Sequence, residues 1–414
     1  MTPYAGFLYF GLAGLYVLLP VVLVRGLLPR VPARLRQAWT LAATAGMLAV
    51  QYSGGFEALA PALRPVWAVV GFAGGQYVLA TVLLGVRRRT KARWPGWVAV
   101  FVALLPLLAA KFLPVNAPAA GAAAQPAGAA GAAGLVEFLG LSYATLRAVD
   151  VLIGIHDGLI TSLSPGRFAA FLFFFPTVSS GPIDRYRRFC AEWIRPDDRA
   201  AFWHDLDAGV HRIFTGFLYK FIFAYWISLH WMNAVPPEPT LSNTVSYMYA
   251  YSFYLFFDFA GYSAFAVGFA YLLGFRVPEN FNLPFVSRNI KEFWTRWHIS
   301  LSFWFRDFVY MRFVLLAVKK KWFRSKHAPA YVANFLTFGV MGFWHGTAAH
   351  YLVYGLYHAC LITAHDLFAR WNRPRPDAPP RLWGDSPGWQ LAGAACTFQA
   401  VCFGFLIFSG RRLW

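Results

Sequence analysis

The stretch Ala328-Pro329-Ala330-Tyr331-Val332-Ala333-Asn334-Phe335-Leu336-Thr337-Phe338-Gly339-Val340-Met341-Gly342-Phe343-Trp344-His345-Gly346 carries no charge from Ala328 to Trp344, then ends on a histidine. Crossing a bilayer takes roughly 20 mostly apolar helical residues. The run is continuous rather than alternating, so it reads as a helix and not as a barrel strand. A titratable ring at such depth is costly and by default marks function. Histidine is also the side chain best suited to moving a proton near neutral pH. Working outward, the pattern recurs: no charged residue lies between Arg64 and Arg87, or between Asp385 and Arg411. Hydrophobic residues make up 58% of the chain and charged residues 13%, against about 25% charged in soluble domains.

The fold class is therefore all-α, a polytopic membrane protein, because only helices or closed barrels satisfy a backbone in lipid. Spans are expected near 5–28, 37–54, 65–86, 95–113, 135–160, 213–233, 244–274, 328–346, 348–368 and 389–410. Two interrupted apolar segments, 168–182 and 289–317, read as short, broken or re-entrant helices, which brings the count to about ten to twelve. The first span is too long and aromatic for a cleavable signal peptide, and no basic region precedes it. Residues 116–134, rich in Ala and Gly, read as a flexible linker inside a single membrane domain covering 1–414, with a motif-bearing core at about 140–410.

The net charge is +19, from 37 Lys and Arg against 18 Asp and Glu. In a membrane protein this points to loops retained in the cytoplasm, not to nucleic acid. The clusters at Arg30/Arg34/Arg36, Arg87–Arg93, Arg185/Arg187/Arg188, Lys319–Lys326 and Arg370–Arg381 would lie on that side, whereas Arg411 and Arg412 conflict with a ten-span topology. The cysteines Cys190, Cys360, Cys396 and Cys402 show no metal spacing and read as small apolar fillers. No metal site is expected.

Four segments carry polar chemistry. In Ser179-Ser180-Gly181-Pro182-Ile183-Asp184-Arg185-Tyr186-Arg187-Arg188-Phe189, a helix stop is followed at once by arginines, as in a basic lip. The mixed charges that follow, including Asp197 and Asp205, read as an amphipathic helix on the membrane surface. In Tyr254-Leu255-Phe256-Phe257-Asp258-Phe259-Ala260-Gly261-Tyr262-Ser263, the lone carboxylate Asp258 needs a partner, expected from a Tyr, Ser or Arg. In 283–313, Ser287 reads as an N-cap, and Trp294, His298, Leu301 and Ser302 would share one helical face lining a cavity. The fourth is the Trp344-His345-Gly346 end. His350, His358 and His365 follow at spacings too wide for a metal site.

Together, the Asp258–Ser263, Phe293–Asp307 and Phe343–Gly346 segments resemble the membrane-bound O-acyltransferase (MBOAT) superfamily, and Ser180–Phe189 is most similar to its DltB branch, which works in D-alanine transfer. The resemblance implies helices around a central tunnel and a catalytic pair at His345 and His298. It implies a D-alanyl thioester on the phosphopantetheine arm of a small acidic carrier protein, with no cofactor bound by the chain itself. The carrier would dock on the cytoplasmic side at Arg185, Arg187, Arg188, Lys319, Lys320 and Lys321. A hydroxyl of a cell-envelope polymer, teichoic-acid-like, would accept the alanyl group, with an envelope-modifying partner outside a bacterial plasma membrane. Trp294, Trp297 and Trp344 would wall the tunnel, with Ser302, Asp258 and Tyr262 close by. His345 would act as base and His298 would orient the donor, or the reverse. No Ser or Cys nucleophile stands out, and a covalent intermediate on a partner stays open. Two rival readings are an O-acetyltransferase of the alginate-modifying kind and a secondary transporter. The transporter reading lacks the internal symmetry common in that class.

Overall fold

Helix satisfies an apolar backbone within its own segment, and the computed structural model of the protein is predominantly helical among its described residues. It describes residues 4, 6–28, 30–52, 63–112, 140–373 and 386–411. The 116–134 linker lies outside them. In chain order the helices are α1 Phe7–Leu12, α2 Leu19–Leu27, α3 Ala33–Tyr52, α4 Leu63–Arg89, α5 Trp94–Phe112, α6 Leu141–His156, α7 Pro165–Phe173, α8 Tyr186–Ile194, α9 Arg199–Phe217, α10 Leu241–Leu272, α11 Ile290–Trp294, α12 Ile299–Phe305, α13 Met311–Lys319, α14 Ala328–His345, α15 Ala349–Trp371 and α16 Pro387–Ser409. One two-residue strand pair joins Arg30–Val31 to Asp197–Asp198, antiparallel.

Among the described residues, six helical stretches are long and apolar enough to cross a membrane: Leu8–Leu27, Trp67–Arg89, Trp94–Phe112, Arg199–Met232, Leu241–Leu272 and Pro387–Ser409. The other expected spans are, over their described residues, α3, α6, α14 and α15, which are shorter or more polar; 53–54 and 135–139 lie outside those residues. Wider π turns interrupt several elements, at Ala13–Leu18, Leu218–Ala224, Ile227–Met232 and Arg306–Tyr310, a feature that apolar patterning does not reveal. By backbone packing the chain divides into two units: Met1–Thr215 with Tyr262–Pro278, and Gly216–Gly261 with Glu279–Trp414.

The first unit is held by arginines. Arg25 grips Asp197 with two hydrogen bonds (2.7 and 2.8 Å), reaches Asp205 at 2.9 Å and donates to the Tyr271 and Leu272 carbonyls. Arg195 and Arg276 complete the shell of Asp205, at 2.9 and 3.1 Å. Arg36 binds the carbonyls of Glu192, Trp193, Arg195 and Gly274. The acidic 197–207 stretch thus departs from the expected surface helix: Asp197 and Asp205 are buried ion-pair partners, and α9 continues from them into the Arg199–Met232 span. A second buried arginine, Arg147, donates to the carbonyls of Phe171, Leu172, Thr177 and Pro182 and to the Thr177 hydroxyl. Those bonds occupy the carbonyls freed where α7 ends, so the broken 168–182 segment is tolerated.

In the second unit α14 and α15 form a close hairpin. A Cβ on Gly355 would sit 2.2 Å from the Phe338 carbonyl oxygen, and one on Gly342 would sit 2.5 Å from that of Tyr351. Small residues let two backbones touch, which is how helices gain packing where lipid removes the hydrophobic drive. Arg411 belongs to this unit, its guanidinium 4.2 Å over Tyr247 and bonded to the Pro236 carbonyl. Of the cysteines only Cys402 is a buried filler; Cys360 and Cys396 are exposed, contrary to the sequence reading.

Asp205 is fully buried whereas Asp207 is 76% exposed. Asp205→Ala, which removes the side-chain carboxylate of Arg276 and one of the two held by Arg25 and by Arg195, is expected to cost about 3–5 kcal/mol, and Asp207→Ala no more than about 0.5 kcal/mol. Thermal melts of the two variants in detergent check the contrast.

Candidate active site

His298 does not sit within a helix. The expected continuous helix across 289–317 breaks after Trp294, and His298 takes a left-handed conformation (φ 41°, ψ 52°) just before α12. Such backbone costs a non-glycine residue about 1–3 kcal/mol and persists only where its surroundings impose it. Here the 280–282 segment imposes it. The Asn280 carbonyl accepts from the Ile299 amide (2.9 Å), the Asn280 side-chain oxygen accepts from the Ser300 hydroxyl (2.6 Å), and the Asn282 amide donates to the Arg296 carbonyl (3.0 Å). The cap of α11 is Asn289, which accepts from the Glu292 amide; Ser287, expected there, donates instead to the Pro284 carbonyl.

The break turns His298 inward. With His345 at the end of α14 it lines a cavity of about 60 Å³, walled by Leu255, Phe259, Trp294, Trp297, Leu301, Met341, Tyr354, Phe405 and Phe408. The His298 ring meets Phe259 edge-on at 4.7 Å, and the His345 ring meets Phe408 at 5.1 Å. Gly346 is required beside His345, because a Cβ there would lie 2.4 Å from the Tyr351 ring. The cavity is apolar apart from the imidazoles, the two indoles and the Tyr354 hydroxyl, and its size is that of a small group, not of a polymer.

The remaining expected residues are placed less uniformly. Trp294 and Trp297 line the cavity; Trp344 does not, its ring lying against His345 at 4.9 Å. Ser302 is turned away, donating to the Trp297 carbonyl at 3.1 Å. Asp258 pairs with Lys220, not with the Tyr, Ser or Arg expected, because the π turn at Leu218–Ala224 brings that lysine to it. Tyr262 belongs to the first unit and bonds the Ser179 hydroxyl. His358 is fully buried among Trp294, Phe338 and Tyr354, behind the cavity wall. The basic lip is divided. Arg185 pairs with Asp150 (3.3 Å) and Arg188 with Asp184 (2.5 Å), so only Arg187 of the three is exposed. Burial pushes the Asp184 carboxyl up from its ordinary value, with Arg188 pulling the other way. Lys319, Lys320 and Lys321 are all exposed. Phe259, Tyr354, Phe405 and Phe408 were not singled out from sequence, since nothing separates them from the many other aromatics.

The sequence model of the membrane-bound O-acyltransferase family matches residues 133–408. The chain belongs to that family. It is 40% identical over 415 residues to the teichoic acid D-alanyltransferase of Bacillus subtilis (strain 168), covering 99% of this chain and 98% of that protein. It is 43% identical over 292 residues to the teichoic acid D-alanyltransferase of Lacticaseibacillus rhamnosus, covering 68% of this chain and 71% of that protein. Similarity to the probable alginate O-acetylase AlgI of Pseudomonas fluorescens is lower, 30% over 277 residues, covering 66% of this chain and 52% of that protein. The protein is thus an all-helical, multi-pass membrane acyltransferase.

The left-handed turn makes an inverted stability order testable. His298→Gly and His298→Ala both lose the ring, but glycine adopts φ above zero without penalty. The Gly variant is expected to be more stable than the Ala variant by about 1 kcal/mol, read as a higher thermal midpoint. The usual helical order would be the reverse.

Proposed function

We propose that the protein transfers a D-alanyl group from a thioester on the phosphopantetheine arm of an acidic carrier protein to a hydroxyl of a teichoic-acid-like polymer across a bacterial plasma membrane. The observation that carries the reading is the shared cavity of His298 and His345 inside an apolar wall. Similarity to teichoic acid D-alanyltransferases along 99% of the chain supports the donor and acceptor classes.

The chemistry asks little of the protein, because a thioester is already activated. As the acceptor oxygen attacks the thioester carbonyl, His345 takes its proton. The carbon–sulfur bond breaks, and the departing thiolate receives that proton from the imidazolium. His298, held by the strained turn, orients the donor carbonyl. An apolar wall excludes water, so the thioester meets the hydroxyl and is not hydrolysed, and positioning replaces chance encounter. The carrier docks by charge, with Arg187 and Lys319–Lys321 as the exposed cations suited to it. An extracytoplasmic partner would present the polymer. A covalent intermediate on such a partner would leave the proton steps at His345 unchanged.

His345→Ala is expected to lower D-alanyl ester in the envelope by at least about 100-fold, the lower range for losing a general base, with the protein still inserted and monodisperse in detergent. Normal ester content in that variant would refute the assignment, and loss of acetyl ester alone would favour the alginate-type reaction. Arg187→Glu and Lys320→Glu, made singly, are each expected to weaken carrier binding, with a smaller difference from the parent protein at high salt. Equal affinity of either variant and the parent at low salt would remove that residue from carrier docking.

A further inference from the structure

Away from the histidine cavity, the second unit carries a forked slot along the first half of α16. One branch, about 790 Å³, runs between α15 and α16 past Leu361, Ala364, Phe368, Gly393, Cys396 and Ala400. The other, about 510 Å³, is a shallow open groove past Phe285, Val286, Leu391, Ala394, Ala395 and Phe398. Both branches begin at Arg288 and Gln390, and Arg373 stands at the mouth of the first. Both branches are mainly apolar, with His365 and Thr397 as polar points in the first, and α16 on their wall is long and apolar enough to cross a membrane.

Among the described residues the mouth carries more positive than negative charge, and the carboxylates beside it are engaged: Asp366 holds Lys291 and Arg370, each at 2.6 Å, and Glu292 holds Arg296 at 2.7 Å and the Arg288 amide at 2.8 Å. Among the described residues neither Arg288 nor Arg373 has a carboxylate partner, and both are exposed. Trp389, at the start of α16, opens onto the first branch, as expected for a ring anchored at headgroup level.

One polar mouth with two arginines, feeding two apolar branches, has the plan of a molecule with one anionic head and two chains. We propose that the slot binds a single anionic diacyl phospholipid, its phosphate on Arg288 and Arg373 and one acyl chain in each branch. Basic pockets between membrane helices on the cytoplasmic side are suited to such head groups. A partner helix fits less well. A spanning helix is about 30 Å long and about 10 Å across, roughly three times the volume of the larger branch, and it does not fork. The proposal stands apart from the acyl-transfer reading, since no slot residue lines the histidine cavity.

The test is native mass spectrometry of the full chain released from nanodiscs of phosphatidylglycerol and phosphatidylcholine in equal parts. The parent protein is expected to retain one phosphatidylglycerol in preference to phosphatidylcholine. Arg288→Gln with Arg373→Gln is expected to reduce that retention roughly 30-fold, at about tenfold for each 1.4 kcal/mol and about 1 kcal/mol for each arginine. Ala364→Trp and Ala394→Trp, each blocking one branch, are expected to reduce retention of both lipids. They also decide the matter should the double arginine variant fail to fold. Glycerol phosphate, which has the head without the chains, is expected not to displace the lipid. Equal phosphatidylglycerol retention by the parent and the arginine or branch-blocked variants would overturn the proposal, as would displacement by glycerol phosphate or a co-purifying helical partner in place of lipid.

Discussion

Everything at the site depends on the broken helix that carries His298. A regular α-helix from Ile290 onward would keep its backbone bonds within itself, and the histidine would take whatever direction the helical period allowed. Breaking it frees amides and carbonyls in an apolar region, where each unsatisfied group costs several kcal/mol. Asn280 and Asn282 take up those groups, and the strain at His298 is the residue of that exchange. What the break gains is direction: the imidazole enters the same small cavity as His345. Strain held by its surroundings at a reactive group is a recurrent form of preorganisation.

The same constraint shapes the first unit. Arg25, Arg36 and Arg147 are nearly inaccessible, and each is surrounded by carbonyls or carboxylates belonging to segments distant in the chain. A buried arginine with five donors can terminate several strands of irregular backbone at once. Buried ion pairs add little net stability over an apolar replacement, but losing one partner is severe. These arginines therefore act as connectors: they make irregular backbone, such as 171–182, compatible with an apolar setting.

Function follows from a division of labour. The cavity is nearly all ring and hydrocarbon, so the proposed general base in it would work on a substrate already stripped of water. Small residues supply proximity: Gly342 and Gly355 bring α14 against α15, and Gly346 lets Tyr351 close over the end that bears His345. Among the described residues no charged residue lines the cavity, while the lysines of 319–321 and the arginines at the forked slot are exposed. Basic margins and a dry interior suit the proposed meeting with an acidic carrier, in which water is kept from the thioester.

The apolar runs, their length and their continuity already determined an all-helical membrane protein, because a backbone in lipid has few other ways to pair its polar groups. The placing of His298 and His345 in apolar, aromatic surroundings, with the order of their motifs, likewise marked the two residues from sequence alone. Tertiary structure decided the rest. The left-handed turn at His298 rests on Asn280, and no local pattern announces that pairing. Lys220 reaches Asp258 through a π turn, which shifts side chains off the helical period on which the sequence argument relied. Arg188 and Arg187 look alike in the chain, yet Asp184 claims one and leaves the other to solvent. Hydropathy and spacing are properties of neighbours along the chain; the partner of a buried polar group is chosen across it, by whichever distant segment packs close enough to satisfy it.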